Sequence, residues 1–276
     1  MLDVMLVDSL HIYPVKAARG IALTESECLR QGLRNDRRFM VIDAAGKFIT
    51  QRSHASMALV EVTIDGDRLH LHAAGARVDV PLDPCSPTAK RRPLRVWDAE
   101  TEGIDVPGEG SRFFSDFLGE PCTLVYMPID AHRDVEEPYS QRGDRVGFAD
   151  AYPLLIASLA SLADLNEKLA AVGSDPVGIE RFRANIVVEG GAPFAEDEAL
   201  TAHVGDLVMR TPKRCARCVV VTIDQTTAIG SKEPLRTLAR YRTVDKKVLF
   251  GVNAIPDLLD HESLSIHVGD EITYRR

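Results

Sequence analysis

Phe39-Met40-Val41-Ile42-Asp43, Ala44-Ala45-Gly46 and Lys47-Phe48-Ile49-Thr50-Gln51 read in succession as strand, turn and strand. β-branched and aromatic residues fit a half-buried pleated surface, and Gly46 supplies the turn, so the stretch predicts a β-hairpin. Further along, Asp65-Gly66 precedes Leu69-His70-Leu71-His72, and Gly75 precedes Val78-Asp79-Val80-Pro81-Leu82. Both runs alternate at the strand period. Several short strands at close spacing predict a curled sheet or barrel. A helix is expected at 112–118, capped by Ser111, with Phe113, Phe114, Phe117 and Leu118 on its apolar face and Gly119 as its stop.

Residues 128–147 are charged and irregular, with Pro128, Pro138, Gly143 and Gly147, and read as a loop. Beyond it, Ser161 and Asp164 have capping-box spacing for a helix lined by Leu162, Leu165, Leu169 and Val172 and ended by Gly173. Strands are expected at 184–188 and at Cys218-Val219-Val220-Val221-Thr222-Ile223, and Glu233-Pro234 should open a short helix bearing Leu235 and Leu238. His-Val-Gly-Asp occurs at 203–206 and again at 267–270, where Gly-Asp is a turn device. The expected fold class is α+β and β-rich. A β-barrel-like domain would cover 1–120 and a second β-barrel domain 121–276, with a few flanking helices.

The 276 residues carry 33 Lys or Arg and 41 Asp or Glu, a formal charge of −8. That balance argues against nucleic-acid binding, which needs basic surface. Hydrophobic residues make up 45%, as in an ordinary globular chain. No run approaches the roughly 18 consecutive apolar residues of a membrane span. Met1-Leu2-Asp3-Val4 lacks the basic region of a signal peptide, so a cytoplasmic location without a membrane anchor is expected. Five scattered cysteines do not form a disulfide framework, which fits a reducing compartment.

Only Cys215 and Cys218 are close together. A zinc site would need two further paired ligands, and His11, His54, His70, His72, His132, His203, His261 and His267 include no suitably spaced pair. A thioredoxin-like pair would open a helix, whereas this pair leads into an expected strand. One thiolate could instead bind a soft metal, or both thiols could simply be buried at a strand start. Arg214 and Arg217 flank the pair and favour a thiolate. Other basic residues gather at strand ends: Lys16 and Arg19 after Tyr13-Pro14, Arg37 and Arg38, Arg52, and Arg181 with Arg183. Such groups suit phosphate recognition, and the alternative is that they are solvated surface charge. No Walker loop, nucleophile elbow or zincin motif occurs, and Gly190-Gly191 lacks dinucleotide-fingerprint context. Asp36, Asp150 and Asp224 could serve as acids or bases, but each sits beside a turn and reads as a capping or turn residue.

Taken together, these segments resemble a known family. Tyr13-Pro14-Val15-Lys16, Gly32-Leu33 with Asp36-Arg37, and Thr50-Gln51-Arg52 look like the N-terminal β-barrel domain that precedes MOSC domains. Phe182-Arg183-Ala184-Asn185-Ile186, Arg217-Cys218, Lys232-Glu233-Pro234-Leu235 and Leu249-Phe250-Gly251 look like the MOSC domain. The resemblance runs in order over nearly the whole chain. It includes the amidoxime-reducing components and bacterial reductases of N-hydroxylated bases.

The resemblance implies a molybdenum cofactor, that is, molybdenum held by molybdopterin, with Cys218 as the metal ligand and catalytic residue and Cys215 at a non-ligating position. It implies that Lys16, Arg37, Arg183 and Asn185 reach the pterin or its phosphate. Arg217 would neighbour the metal, and Asn253 and the turn Asp150-Ala151-Tyr152 would help hold the cofactor. Ala17 and Ala216 stand in the same binding set where relatives often have Ser, so hydroxyl contacts there are lost. The implied activity is reduction of a small N-hydroxylated compound to its amine. Electrons would come from a separate flavoprotein, ferredoxin or cytochrome. The alternative is a sulfur carrier or cofactor-delivery protein that uses Cys218 without turnover.

Overall fold

The structure, a computed structural model, describes residues 4–86, 88–259 and 262–276. Met1, Leu2 and Asp3, used above for localisation, and His261 lie outside the described residues. The first half forms β1 (Leu6–Ile12), β2 (Ile21–Leu23), β3 (Glu25–Leu29), β4 (Gly32–Leu33), β5 (Phe39–Asp43), β6 (Glu61–Asp65), β7 (Arg68–Ala73), β8 (Ala76–Pro81), β9 (Arg91–Val96), β10 (Ala99–Asp105), α1 (Gly110–Leu118) and β11 (Cys122–Tyr126). The second half forms β12 (Leu154–Ser158), α2 (Leu159–Ala171), β13 (Ile186–Glu189), β14 (Thr201–Val204), β15 (Leu207–Ala216), α3 (Leu235–Tyr241), β16 (Thr243–Val244), β17 (Lys247–Pro256), β18 (Leu264–His267) and β19 (Ile272–Arg275). The protein is β-rich, with a barrel-like N-terminal part and a second β-rich part flanked by a few helices, as the fold-class expectation had it.

The largest sheet runs β19-β14-β15-β17-β12-β13-β1-β2, with β16 paired to β17. β12 and β13 are parallel and joined through α2. Both faces of β12 are covered: Leu154 and Ile156 enter one apolar cluster, Leu155 and Ala157 another. That is why its sequence is a continuous apolar run rather than an alternating one. β1 pairs antiparallel with β13, and β3 with β18, so residues early in the chain complete the sheets of the second half. Conversely, β11 joins β5, β10 and β9 in a four-stranded sheet. The N-terminal core gathers Phe39, Val41, Leu69, Leu71, Val80, Phe114 and Leu124.

Four local expectations differ. The hairpin at 39–51 keeps its turn, where the Asp43 carboxylate accepts from Ala45 and Lys47 N–H groups, but its second arm makes only an isolated bridge from Phe48 to Ile42. Ser111 does not cap α1; it lies in the first turn and its hydroxyl accepts from Leu124 N–H. Ser158, not Ser161, caps α2, accepting from Ala160 and Ser161 N–H, while Ser161 turns inward to donate to Glu196. The run after Cys218 is a 3-10 turn, Val219–Thr222, and not a strand. The chain reverses there, with Ser231 N–H donating to Thr222 C=O. The two His-Val-Gly-Asp copies are both turns, entering β15 and β19.

Candidate functional site

The inner wall is built around Tyr13, which follows β1 and is buried. Its N–H donates to Asp36 Oδ1 (2.8 Å) and its hydroxyl to Ala184 C=O (3.1 Å). The Arg37 and Arg183 guanidinium carbons lie 4.3 and 4.2 Å from its ring centroid, within cation–π range. Gly20 leaves room for the ring, since a Cβ there would come 2.5 Å from Tyr13 Cε1. Arg37 Nη1 donates to Asp36 Oδ2 (2.6 Å) and Asn185 Oδ1 (3.0 Å), and Nη2 to Arg183 C=O (3.2 Å). Asn185 in turn accepts from Leu155 N–H and donates to His11 C=O, which ties the cluster to β12 and β1. Burial pushes the Asp36 carboxyl pKa up despite Arg37, and burial lowers Arg183 to about 10, still a cation at neutral pH. Asp36 therefore sits in a turn, as expected, its N–H donating to Leu33 C=O, and is also the buried partner of Arg37.

Ala17, Arg37 and Arg183 have φ of 72°, 46° and 55°. Left-handed backbone at non-glycine residues costs on the order of 1 kcal/mol or more each and concentrates at functional sites. All three line the same cleft.

Lys16 is buried, and its ammonium donates to Phe148 C=O (2.7 Å) and Asp150 Oδ1 (2.6 Å). Burial presses the Lys16 pKa down, opposed by Asp150. Burial would raise Asp150, but Lys16 and then Arg52 hold its carboxyl well below the usual carboxylate range. Arg52 Nη2 reaches Asp150 Oδ2 at 3.3 Å. The backbone around Asp150 is fixed from below by buried Arg133, which donates to the carbonyls of Gly147, Ala149 and Asp150. Asp150 thus anchors cations as well as sitting in a turn, and Asp224, which accepts from Thr226 and Thr227 N–H groups as a turn residue should, also holds Arg181.

β15 ends on Cys215-Ala216, and the pairing with β17 shifts register between Arg214 and Ala216. Such irregularities re-aim side chains. Arg217 N–H then donates to Val248 C=O (2.7 Å), and Cys218 stands at the start of the 3-10 turn. Both thiols are half-buried and free. Arg217 Nη1 lies 3.0 Å from Cys215 Sγ, and Arg52 Nε 3.4 Å from Cys218 Sγ. Arg217 Nε is buried without a partner among the described residues.

These groups surround one cleft of about 380 Å³. Every residue of the binding set implied by the family resemblance lines it: Lys16, Ala17, Arg37, Asp150, Ala151, Tyr152, Arg183, Asn185, Ala216, Arg217, Cys218 and Asn253. Lys213, Lys247 and Arg52 add further positive charge, against the carboxylates of Asp150 and Glu136 alone. An acidic chain has therefore concentrated cations at one seam, where a multiply charged anion would be held. Among the described residues no three His, Cys, Asp or Glu side chains gather as metal ligands. Arg19, Arg38 and Arg181 face elsewhere, pairing with Glu61, Met127 C=O and Asp224 respectively.

Arg52 belonged to the quoted Thr50-Gln51-Arg52 motif but was not placed in the binding set; its motif was the available signal. Glu136 and Lys213, an ion pair at 2.5 Å whose carboxylate also accepts from the Tyr152 hydroxyl, had no local signal. One lies in the irregular loop and the other in β15, and only the fold joins them.

The chain belongs to the family defined by a MOSC N-terminal beta barrel domain, matched over residues 4–121, followed by a MOSC domain, matched over residues 143–273. Human mitochondrial amidoxime-reducing component 1 is 35% identical to it over 259 residues, covering 89% of this chain and 75% of that protein. Bovine mitochondrial amidoxime reducing component 2 is 34% identical over 249 residues, covering 87% and 73%. Arabidopsis thaliana molybdenum cofactor sulfurase is 28% identical over 282 residues, covering 96% of this chain and 34% of that protein.

These names correct the expected cytoplasmic location, because the amidoxime-reducing relatives from human, mouse, cattle and rat are all named as mitochondrial. The expectation rested on free thiols and on the residues at the start of the chain. Neither separates one reducing compartment from another. No helix among the described residues is long and apolar enough to cross a membrane.

Proposed function

We propose that the protein is a molybdenum-cofactor-dependent oxidoreductase that reduces N-hydroxylated compounds to amines, with electrons from a separate flavoprotein, ferredoxin or cytochrome. The observation that carries this reading is a half-buried thiol, Cys218, beside a guanidinium in a cleft lined by cations. The residues present fit the group: Lys16 is a buried and Arg183 a half-buried positive charge lining the cleft, the Arg217 Nε lacks a partner among the described residues, and a cysteine is a suitable soft-metal ligand.

In this reading Lys16, Arg37 and Arg183 hold the phosphate and pterin, with Asn185, Asn253 and the backbone of Asp150-Ala151-Tyr152 fixing orientation. Cys218 supplies the single protein ligand to the metal. When bound, the cofactor supplies the two-electron chemistry that breaks an N–O bond. The chain supplies the rest. Arg37 and Arg183 are locked by Tyr13 and Asp36 before any ligand arrives, so little ordering cost falls on binding. Arg52 places positive charge beside Cys218 sulfur and ties it to Asp150. Reduction of R–NHOH takes up two electrons and two protons and releases R–NH2 and water.

The test is metal analysis of the purified protein together with benzamidoxime reduction by a chemical electron donor, for the native chain and for Cys218→Ala. Molybdenum near one per chain with turnover, and loss of turnover in the variant, is the expected result. Full activity of Cys218→Ala would sink the assignment. A second reading, a sulfur carrier, is favoured by the similarity to a protein named as a molybdenum cofactor sulfurase along 96% of this chain. Metal-free protein with labile sulfur on Cys218 would support it.

A further inference from the structure

The chain contains a single tryptophan, Trp97, and its placement is unusual. β9 and β10 form a hairpin in which Val96 pairs with Ala99, so Trp97 and Asp98 make a two-residue loop. Trp97 takes the first loop position with φ of 56°. Glycine fills that position at no steric cost, whereas a bulky side chain there is strained. An indole kept in such a place calls for a compensating role.

The surroundings fix the indole firmly. The Phe48 ring meets it edge-on at 5.0 Å, and the Arg52 guanidinium carbon lies 4.4 Å from its centroid. Phe48 in turn lies under the Lys16 ammonium at 5.3 Å. The indole N–H is also among the groups that hold the Asp150 carboxylate ionised. Lys16, Arg52 and Asp150 all line the cleft, and Arg52 touches both the indole and Cys218 sulfur. Despite these contacts Trp97 remains 44% exposed. A rigid aromatic surface, held against Arg52 of the cleft wall with area left uncovered, is suited to receive a flat, uncharged ring.

We propose that Trp97 is a specificity-determining residue: its exposed indole surface receives the planar ring of an aromatic N-hydroxylated substrate while the N–O group enters toward Cys218. The inference rests on the reductase reading above. It requires that substrates of identical N–O chemistry be distinguished by whether they carry a ring.

Benzamidoxime and acetamidoxime form that pair. Because Trp97 is the sole tryptophan, its emission reports on this spot in the holoprotein without any substitution. Benzamidoxime should quench or shift the emission in a saturable way, and acetamidoxime should not. In turnover, Trp97→Ala should raise KM for benzamidoxime about two- to tenfold more than KM for acetamidoxime, as loss of one aromatic contact predicts, because any effect passed through Arg52 and Asp150 falls on both substrates alike. Trp97→Phe should recover most of the loss. Equal responses to both amidoximes, or none to benzamidoxime, would overturn the proposal. If neither compound is turned over, the reductase reading fails, and the fluorescence titration still decides whether the indole receives a ring.

Discussion

Arg52 Nε lies 3.4 Å from Cys218 Sγ, although the two residues stand in opposite halves of the chain. The same guanidinium reaches Asp150 at 3.3 Å. One side chain of the N-terminal part therefore sets the charge around a sulfur that belongs to the other part. Arg52→Ala should lower kcat/KM about ten- to hundredfold, the range expected for losing a hydrogen bond to a charged group. Molybdenum content, measured on the same samples, should stay close to that of the native protein. Unchanged kcat/KM would show that Arg52 is bystander charge.

Arg37 and Asp36 are a buried pair at 2.6 Å, with Asp36 almost wholly enclosed. Arg37→Ala leaves the carboxyl without its charge partner and should cost about 3–5 kcal/mol of stability. Adding Asp36→Asn should recover part of that cost, because a neutral amide is cheaper to bury. Urea unfolding of the two variants reads the difference.

Gly20→Ala places a methyl group against the edge of a ring that two guanidiniums hold in place. The ring cannot swing aside without moving Arg37 and Arg183. Cofactor content should fall at least about threefold, and overpacking should cost about 1–3 kcal/mol. Normal loading with normal stability would mean that the ring has slack.

Glu196 is fully buried, accepting from Ser161, and burial raises its carboxyl to about 7. A carboxyl raised on folding binds its proton more tightly in the native state, so its stabilising share is complete below about pH 4 and is lost as pH rises toward 7. Glu196→Gln removes the ionisation while keeping an oxygen acceptor. The variant should match the native protein near pH 4 and exceed it by about 3 kcal/mol at pH 8. Parallel stability curves across that range would refute the assignment.

Much of this architecture was legible residue by residue. Leu69–His72 and Val78–Leu82 alternate because one face of each strand is buried, and β7 and β8 form there. Basic residues at strand ends pointed to Lys16, Arg37, Arg52 and Arg183, which line the cleft, and equally to Arg19, Arg38 and Arg181, which do not. Residues 219–222 were misread because three valines and a threonine have strand propensity. In the structure Val221 is buried while Val219 is 49% exposed, and the chain doubles back instead of pairing. Tertiary context overrode propensity there. The capping error at Ser161 has the same origin: its hydroxyl serves a buried carboxyl from another segment, which no local pattern records.

The pairing of β1 with β13 has a consequence for biosynthesis. A ribosome delivers Leu6–Ile12 first, but its partner Ile186–Glu189 follows some 180 residues later, roughly ten to forty seconds at ordinary elongation rates. During that interval one of the earliest strands presents an open edge, which is where unintended pairing begins. The wall bearing Tyr13 and Arg37 is also incomplete until Ala184 and Asn185 arrive. On the reading proposed above, no cofactor can load before that wall is complete, and a truncated product has no competent cleft.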